Sequence, residues 1–176
     1  PPDGYTVEDA AADAWRLLDG LGVARAVLVG VSWGGTVVQA MAHQAPQRVR
    51  GLLLISTWLA PDPPRNELLR LWGELYGRVS LELFSREVHL WTFPPGFYRS
   101  APGAIGRFQQ GLARSRGHPH PEVFRALVRS ALAFDGRGRL DDLAVPAWVL
   151  VGSEDRVTPP DEGARLAGAI PGARLR

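Results

Sequence analysis

The spacing of apolar and polar positions changes period along the chain. Val7, Ala10, Ala14, Leu17, Leu18 and Leu21 recur at helical spacing, the stripe of an amphipathic helix. Thr6-Val7-Glu8-Asp9 marks its start, a hydroxyl cap with an acidic residue three positions on. Gly20 and Gly22 end it. Ala24 to Gly30 is a short apolar run without alternation, as expected of a parallel strand covered on both faces. Gly34-Gly35 opens a second helix, Thr36 to Gln44, stopped by Pro46. Val49 to Ile55 reads as the next strand. This alternation predicts an α/β fold, a mostly parallel sheet flanked by helices.

From Pro61 to about Leu140 the strand pattern disappears. Arg65–Gly77, Leu81–Trp91, Pro102–Arg116 and Glu122–Phe134 have helical periodicity and are separated by Pro and Gly. Most of the aromatic residues fall here, among them Trp72, Tyr76, Phe84, Trp91, Phe93, Phe108 and Phe124. Core packing explains most of them and the lining of an apolar pocket a few. Val145 to Gly152 returns to a strand, Ser153 to Pro160 is a loop, Asp161–Ala169 is a helix, and Ala173 to Arg176 opens a last strand. The expected organisation is a core over 1–60, a helical insertion over 61–140, and a return to the core over 141–176.

With 176 residues and 45% hydrophobic content, the chain can bury one domain core. The net charge of +2 balances 20 Arg, with no Lys, against 18 acidic residues. The Arg are scattered, so neither a nucleic-acid nor a membrane partner is expected. No cysteine is present, which excludes disulfides, thiolate metal sites and thiol nucleophiles. The apolar runs are too short to cross a membrane. No leader is visible at Pro1-Pro2-Asp3, so a cytoplasmic location is expected. The first residue is not Met, and the chain is expected to start within a longer protein. Oligomeric state leaves no mark on the sequence.

The candidate chemistry is Gly30-Val31-Ser32-Trp33-Gly34, with an apolar strand running in and an apolar helix running out. A serine hydroxyl is a poor nucleophile unless a base takes its proton and the oxygen is exposed. A sharp strand-to-helix turn exposes it, and crowding around that turn asks for small residues at Gly30 and Gly34, with Gly35 allowing close helix packing. The Trp33 N–H, at the helix start, can help to stabilise an oxyanion. A dinucleotide-binding loop is the rival, but the middle position is Ser32 and the next strand ends at Ser56 without an acid. The second motif, Gly152-Ser153-Glu154-Asp155-Arg156-Val157-Thr158-Pro159, follows a strand. A carboxylate there lies at the same sheet edge as the elbow, where it can orient a histidine.

The two motifs, in this order, resemble the nucleophile elbow and the acid loop of the α/β-hydrolase family, and the helical insertion sits where that family carries its cap. The resemblance covers the whole chain. It implies Ser32 as nucleophile and Asp155 as the triad acid, with Glu154 as the alternative carboxylate. The elbow and the Ser56-Thr57-Trp58 stretch after the next strand are similar to small-molecule members such as enol-lactonases, aminoacrylate-type hydrolases and some esterases, and the elbow string also resembles intracellular polyhydroxyalkanoate depolymerases. The expected reaction is cleavage of a small carboxylic ester, lactone or related acyl compound, without cofactor or metal. The competing expectation is a non-catalytic domain of the same fold that binds a small ligand or a partner.

The resemblance puts the family's histidine beyond the strand near Ala173 and the second oxyanion donor ahead of the elbow. The expectation is therefore a piece shortened at both ends, without its catalytic histidine and inactive alone. His43 lies eleven positions past Ser32 on the following helix, about 16 Å along its axis and out of reach. His89 and the His118-Pro119-His120 turn fall in the insertion. Two close histidines without a third ligand make a poor metal site.

Overall fold

A computed structural model of the chain describes residues 4–114 and 117–176. The leader reading at Pro1-Pro2-Asp3 and the last two positions of the helix expected over 102–116 lie outside the described residues.

The first helix, α1 (Val7–Gly20), begins at its capping box. The Thr6 hydroxyl accepts from the Asp9 amide at 3.1 Å, and the Asp9 carboxylate accepts from the Thr6 amide at 2.9 Å. Two amides left open at a helix start are thereby satisfied. Val7, Ala11 and Trp15 are buried, and Leu18 packs partly against them. Leu17 and Leu21, expected in the same stripe, are mostly exposed. Leu17 lies six positions after Ala11, which turns it about 120° away from the stripe.

The strands β1 (Ala26–Val31), β2 (Val49–Ile55), β3 (Ala147–Leu150) and β4 (Arg174–Leu175) form one sheet in sequence order, every pair parallel. Helix α2 (Trp33–Gln44) crosses from β1 to β2 and α8 (Pro160–Gly168) from β3 to β4, while α1 leads into β1. The register sets Leu28 beside Leu52 and Leu52 beside Ala147. That face packs into one core with Trp15 of α1, Met41 of α2 and Leu166 of α8. The Trp15 indole donates to the Met41 carbonyl at 3.1 Å and locks α1 to α2. β3 is shorter than the expected Val145–Gly152 run because Pro146 has no N–H to donate. Its carbonyl still accepts from the Leu52 amide at 2.9 Å.

The opposite face of β1 is open: Val27, Val29 and Val31 are 61%, 56% and 56% exposed. The apolar run was read as a strand covered on both faces, and here one face alone is covered.

Between β2 and β3 the chain runs through α3 (Pro63–Leu75), α4 (Leu81–Thr92), α5 (Pro95–Ser100), α6 (Pro102–Arg114) and α7 (Pro121–Ala133). Helix α5 was not expected. Its six residues are too few for a periodic signal, and Pro94-Pro95-Gly96 reads as a breaker although Pro95 suits a first helical position. Leu68, Trp72, Tyr76 and Phe84 form a second core, in which Tyr76 stacks on Phe124 with ring centres 4.3 Å apart. Ala131 of α7 and the following Phe134 belong to the main core instead. The Gly136 amide donates to the Leu59 carbonyl at 2.7 Å, drawing the two ends of the insertion together. Arg65 of α3 pairs with Glu162 of α8, both buried. Arg156, on the loop after β3, donates to the Leu90 carbonyl near the end of α4, where a helix leaves carbonyls without partners.

Candidate active site

β1 delivers Ser32 at the sheet's carboxyl edge, and α2 starts at the very next residue. Ser32 is exposed and holds φ 51° and ψ −125°. Non-glycine residues seldom occupy that region, and they persist there only where the surroundings enforce it. The enforcement is visible on both sides of the turn. The Ser32 amide donates to the Ile55 carbonyl at 3.0 Å, and the Ser32 carbonyl accepts from the Thr57 hydroxyl at 2.7 Å. The partner strand β2 thus grips the turn through its last residue and through Thr57 just beyond it.

The glycines divide differently from the expectation. A Cβ on Gly30 would lie 2.4 Å from the Gly34 carbonyl oxygen, and one on Gly35 would lie 2.3 Å from the Thr57 hydroxyl oxygen. A Cβ on Gly34 would meet no atom within 4 Å. Crowding therefore explains Gly30 and Gly35 but not Gly34, which sits in the first turn of α2 where a Cβ would enter open space.

Trp33 heads α2, where helix geometry leaves the first amides without intrahelical acceptors. Its indole donates to the Ser130 hydroxyl of α7 at 3.0 Å, and that hydroxyl donates to the Leu127 carbonyl at 2.8 Å. Helix α7 therefore lies over the elbow. Beside Ser32 opens a cavity of about 190 Å³, lined by Ser32, Trp33, Trp58, Leu69, Trp72 and four residues of α7.

Asp155 follows β3, and one strand, β2, separates β3 from β1. Ordinary strand spacing puts β1 and β3 about 10 Å apart. One Asp155 carboxylate oxygen accepts from the Val157 and Thr158 amides at 2.9 and 2.8 Å, and the other accepts from the Thr158 hydroxyl at 2.9 Å. Charge-accepting bonds of this kind fix the carboxylate in one orientation. Thr158 is buried, whereas Glu154 is exposed, and no side-chain bond holds it among the described residues.

The histidines stand elsewhere. His43 bonds to the Arg139 carbonyl at 3.1 Å. His89 packs edge-on to Phe93, and burial holds its pKa below the ordinary histidine value. His118 lines a separate apolar pocket beside Tyr76 and Pro121. His120 accepts from the Glu122 amide at 3.4 Å and so caps α7. None of the four lines the cavity beside Ser32. No group of three metal-ligating side chains occurs among the described residues, and no described helix is long and apolar enough to cross a membrane.

Ser130 carries no mark in the sequence, and Thr57 and Thr158 stand there only within longer stretches, without a role of their own. Thr158 is legible afterwards, as an Asp-x-x-Thr turn within one loop. The other two act across 25 and 97 positions of chain, a separation at which a lone Thr or Ser carries no signal.

A parallel sheet with a strained serine between strand and helix, and a carboxylate at the same edge two strands away, defines the hydrolase class of α/β architecture. The chain belongs to the α/β hydrolase fold family, whose model matches residues 1–176. It is similar to RutD of Azorhizobium caulinodans, named as a carbamate hydrolase, with 31% identity over 175 residues. That match covers 97% of this chain and 63% of RutD, so the chain spans less than two thirds of the curated relative's length. It is also similar to a thermophilic esterase from Thermogutta terrifontis, at 29% identity and a TM-score of 0.82, covering all of this chain and 65% of the esterase. The fold alone matches MGS-M2, an alpha/beta hydrolase from a Medee basin deep-sea metagenome, with a TM-score of 0.90 at 21% identity, over 100% of this chain and 64% of that one.

Proposed function

We propose that the protein carrying this chain is a serine hydrolase acting on a small carboxylic ester, lactone or related acyl compound. Ser32 attacks the carbonyl carbon, and the Trp33 N–H donates to the oxygen that becomes negative. Asp155 orients the histidine that takes the Ser32 proton and returns it to the leaving group. No histidine of the chain lines the cavity, so in this proposal the base comes from outside these residues. The five helices between β2 and β3 act as the cap over the site. The carbamate and ester chemistries named for the relatives both proceed by attack on an acyl carbon, which is compatible with this site.

The observation that carries the reading is Ser32 itself, an exposed hydroxyl held at φ 51° beside a cavity. The test is a fluorophosphonate probe, which modifies activated serines, applied to the full-length protein. Labelling is expected, and Ser32→Ala should abolish it together with turnover of short p-nitrophenyl esters. Labelling that survives Ser32→Ala, or a wild-type protein that is not labelled at all, refutes the proposal.

A further inference from the structure

The cavity beside Ser32 has an unusual uniformity. Its wall includes Trp58, Leu69, Trp72, Phe124, Leu127 and Val128. No side chain among its lining residues bears a charge. Two of its three tryptophan indoles are already engaged: the Trp33 indole donates to Ser130 and the Trp72 indole to Glu87. The nearby cation, Arg65, lies over the Trp58 ring, 4.7 Å from its centre, and is buried with Glu162 and the Ala60 carbonyl as partners. Among the described residues, a bound acyl chain thus meets no charged side chain in this cavity.

An ionised carboxylate moved from water into such a place loses its hydration and meets no cation among the described lining residues in return. An alkyl or aryl group of similar size gains from the same transfer. The difference falls on the substrate's remote end, where it acts on ground state and transition state alike, and so enters kcat/KM in full. We infer that the site accepts uncharged esters with a compact apolar acyl group and rejects those whose acyl chain ends in a carboxylate. This rests on Ser32 being the nucleophile, and it adds a selection by charge that no residue in the elbow or acid loop dictates.

The test compares two p-nitrophenyl esters of equal chain length on the full-length protein at pH 8, the hexanoate and the hemi-ester of adipate. Their scissile bonds are electronically alike, and only the far end differs. The hexanoate is expected to have a kcat/KM at least tenfold higher, and a smaller ratio or a reversed one overturns the inference. Leu127 and Leu69 both line the cavity and are only partly buried, so Leu127→Arg and Leu69→Arg, made separately, should each offer the carboxylate a partner. At least one of them, while still labelled by fluorophosphonate, should narrow the ratio fivefold or more. An unchanged ratio in both labelled variants refutes this cavity as the origin of the selection. If wild-type labelling does not depend on Ser32, the parent reading falls and this one with it. If labelling does depend on Ser32 and the adipate ester is still preferred, only the charge selection is wrong.

Discussion

Ser32 reconciles two opposing requirements: its hydroxyl must stand clear of the sheet, and its backbone must stay in a region that costs about 1–3 kcal/mol. The hydrogen bonds from Ser32 to Ile55 and from Thr57 to Ser32 offset that cost from the neighbouring strand. The glycines around the turn carry a sharp expectation. Gly30→Ala and Gly35→Ala place a methyl group against backbone and Thr57 atoms at under 2.5 Å, and each should lose about 3 kcal/mol or more. Gly34→Ala enters open space in a helix and should be neutral or stabilising by up to about 1 kcal/mol. Urea denaturation midpoints decide between them. Equal losses at all three positions would show that the crowding has been wrongly assigned. The elbow was legible from five residues because its steric demands are local. The unequal roles of Gly34 and Gly35 were not, because they depend on where Thr57 arrives from β2.

Among the elements, α1 shows how a local signal becomes a pH dependence. The Asp9 carboxylate accepts from both the amide and the hydroxyl of Thr6, and those bonds hold its pKa below the usual carboxylate value. A group whose pKa is lower folded than unfolded stabilises the fold at pH above its unfolded value, and that contribution is lost as pH falls through the folded value. Thermal melts from pH 7 down to pH 3 should therefore show a falling Tm, and Asp9→Asn should lower Tm at pH 7 and flatten part of that fall. A parallel pair of pH profiles would remove Asp9 from the cause. The capping box, β2 and the helix after the acid loop could all be placed from sequence, since caps, apolar runs and prolines act within a few residues. Helix α5 and the reach of Arg156 to the Leu90 carbonyl could not, the first for want of length and the second because it joins segments 66 positions apart.

At the scale of the whole molecule, the uneven covering of the sheet dominates. Parallel sheets are ordinarily covered on both faces, yet β1 shows three consecutive outward valines to solvent, on a strand that has β2 as its one neighbour. Such a surface favours pairing between chains. The 176-residue chain, purified by itself, should self-associate, and the double substitution Val27→Thr and Val29→Thr should shift it toward monomer in light scattering after size exclusion. A monodisperse monomer without those substitutions contradicts this. The fold class was legible because helix and strand alternate in sequence order, whereas which face stays open depends on packing between elements.

The hydrogen bond between Gly136 and Leu59 gives the insertion another property. Its two ends meet before the helices begin, so the stretch between them is a loop closed at its base and can be treated as an exchangeable cassette. A helical segment of different length could be grafted at those two positions without altering the spacing of β2 and β3. The graft would have to retain a hydroxyl for the Trp33 indole, a carbonyl for Arg156 and a cation for Glu162, contacts by which the cassette docks on the core. The lining of the cavity and the serine turn would then become separately adjustable parts of one protein.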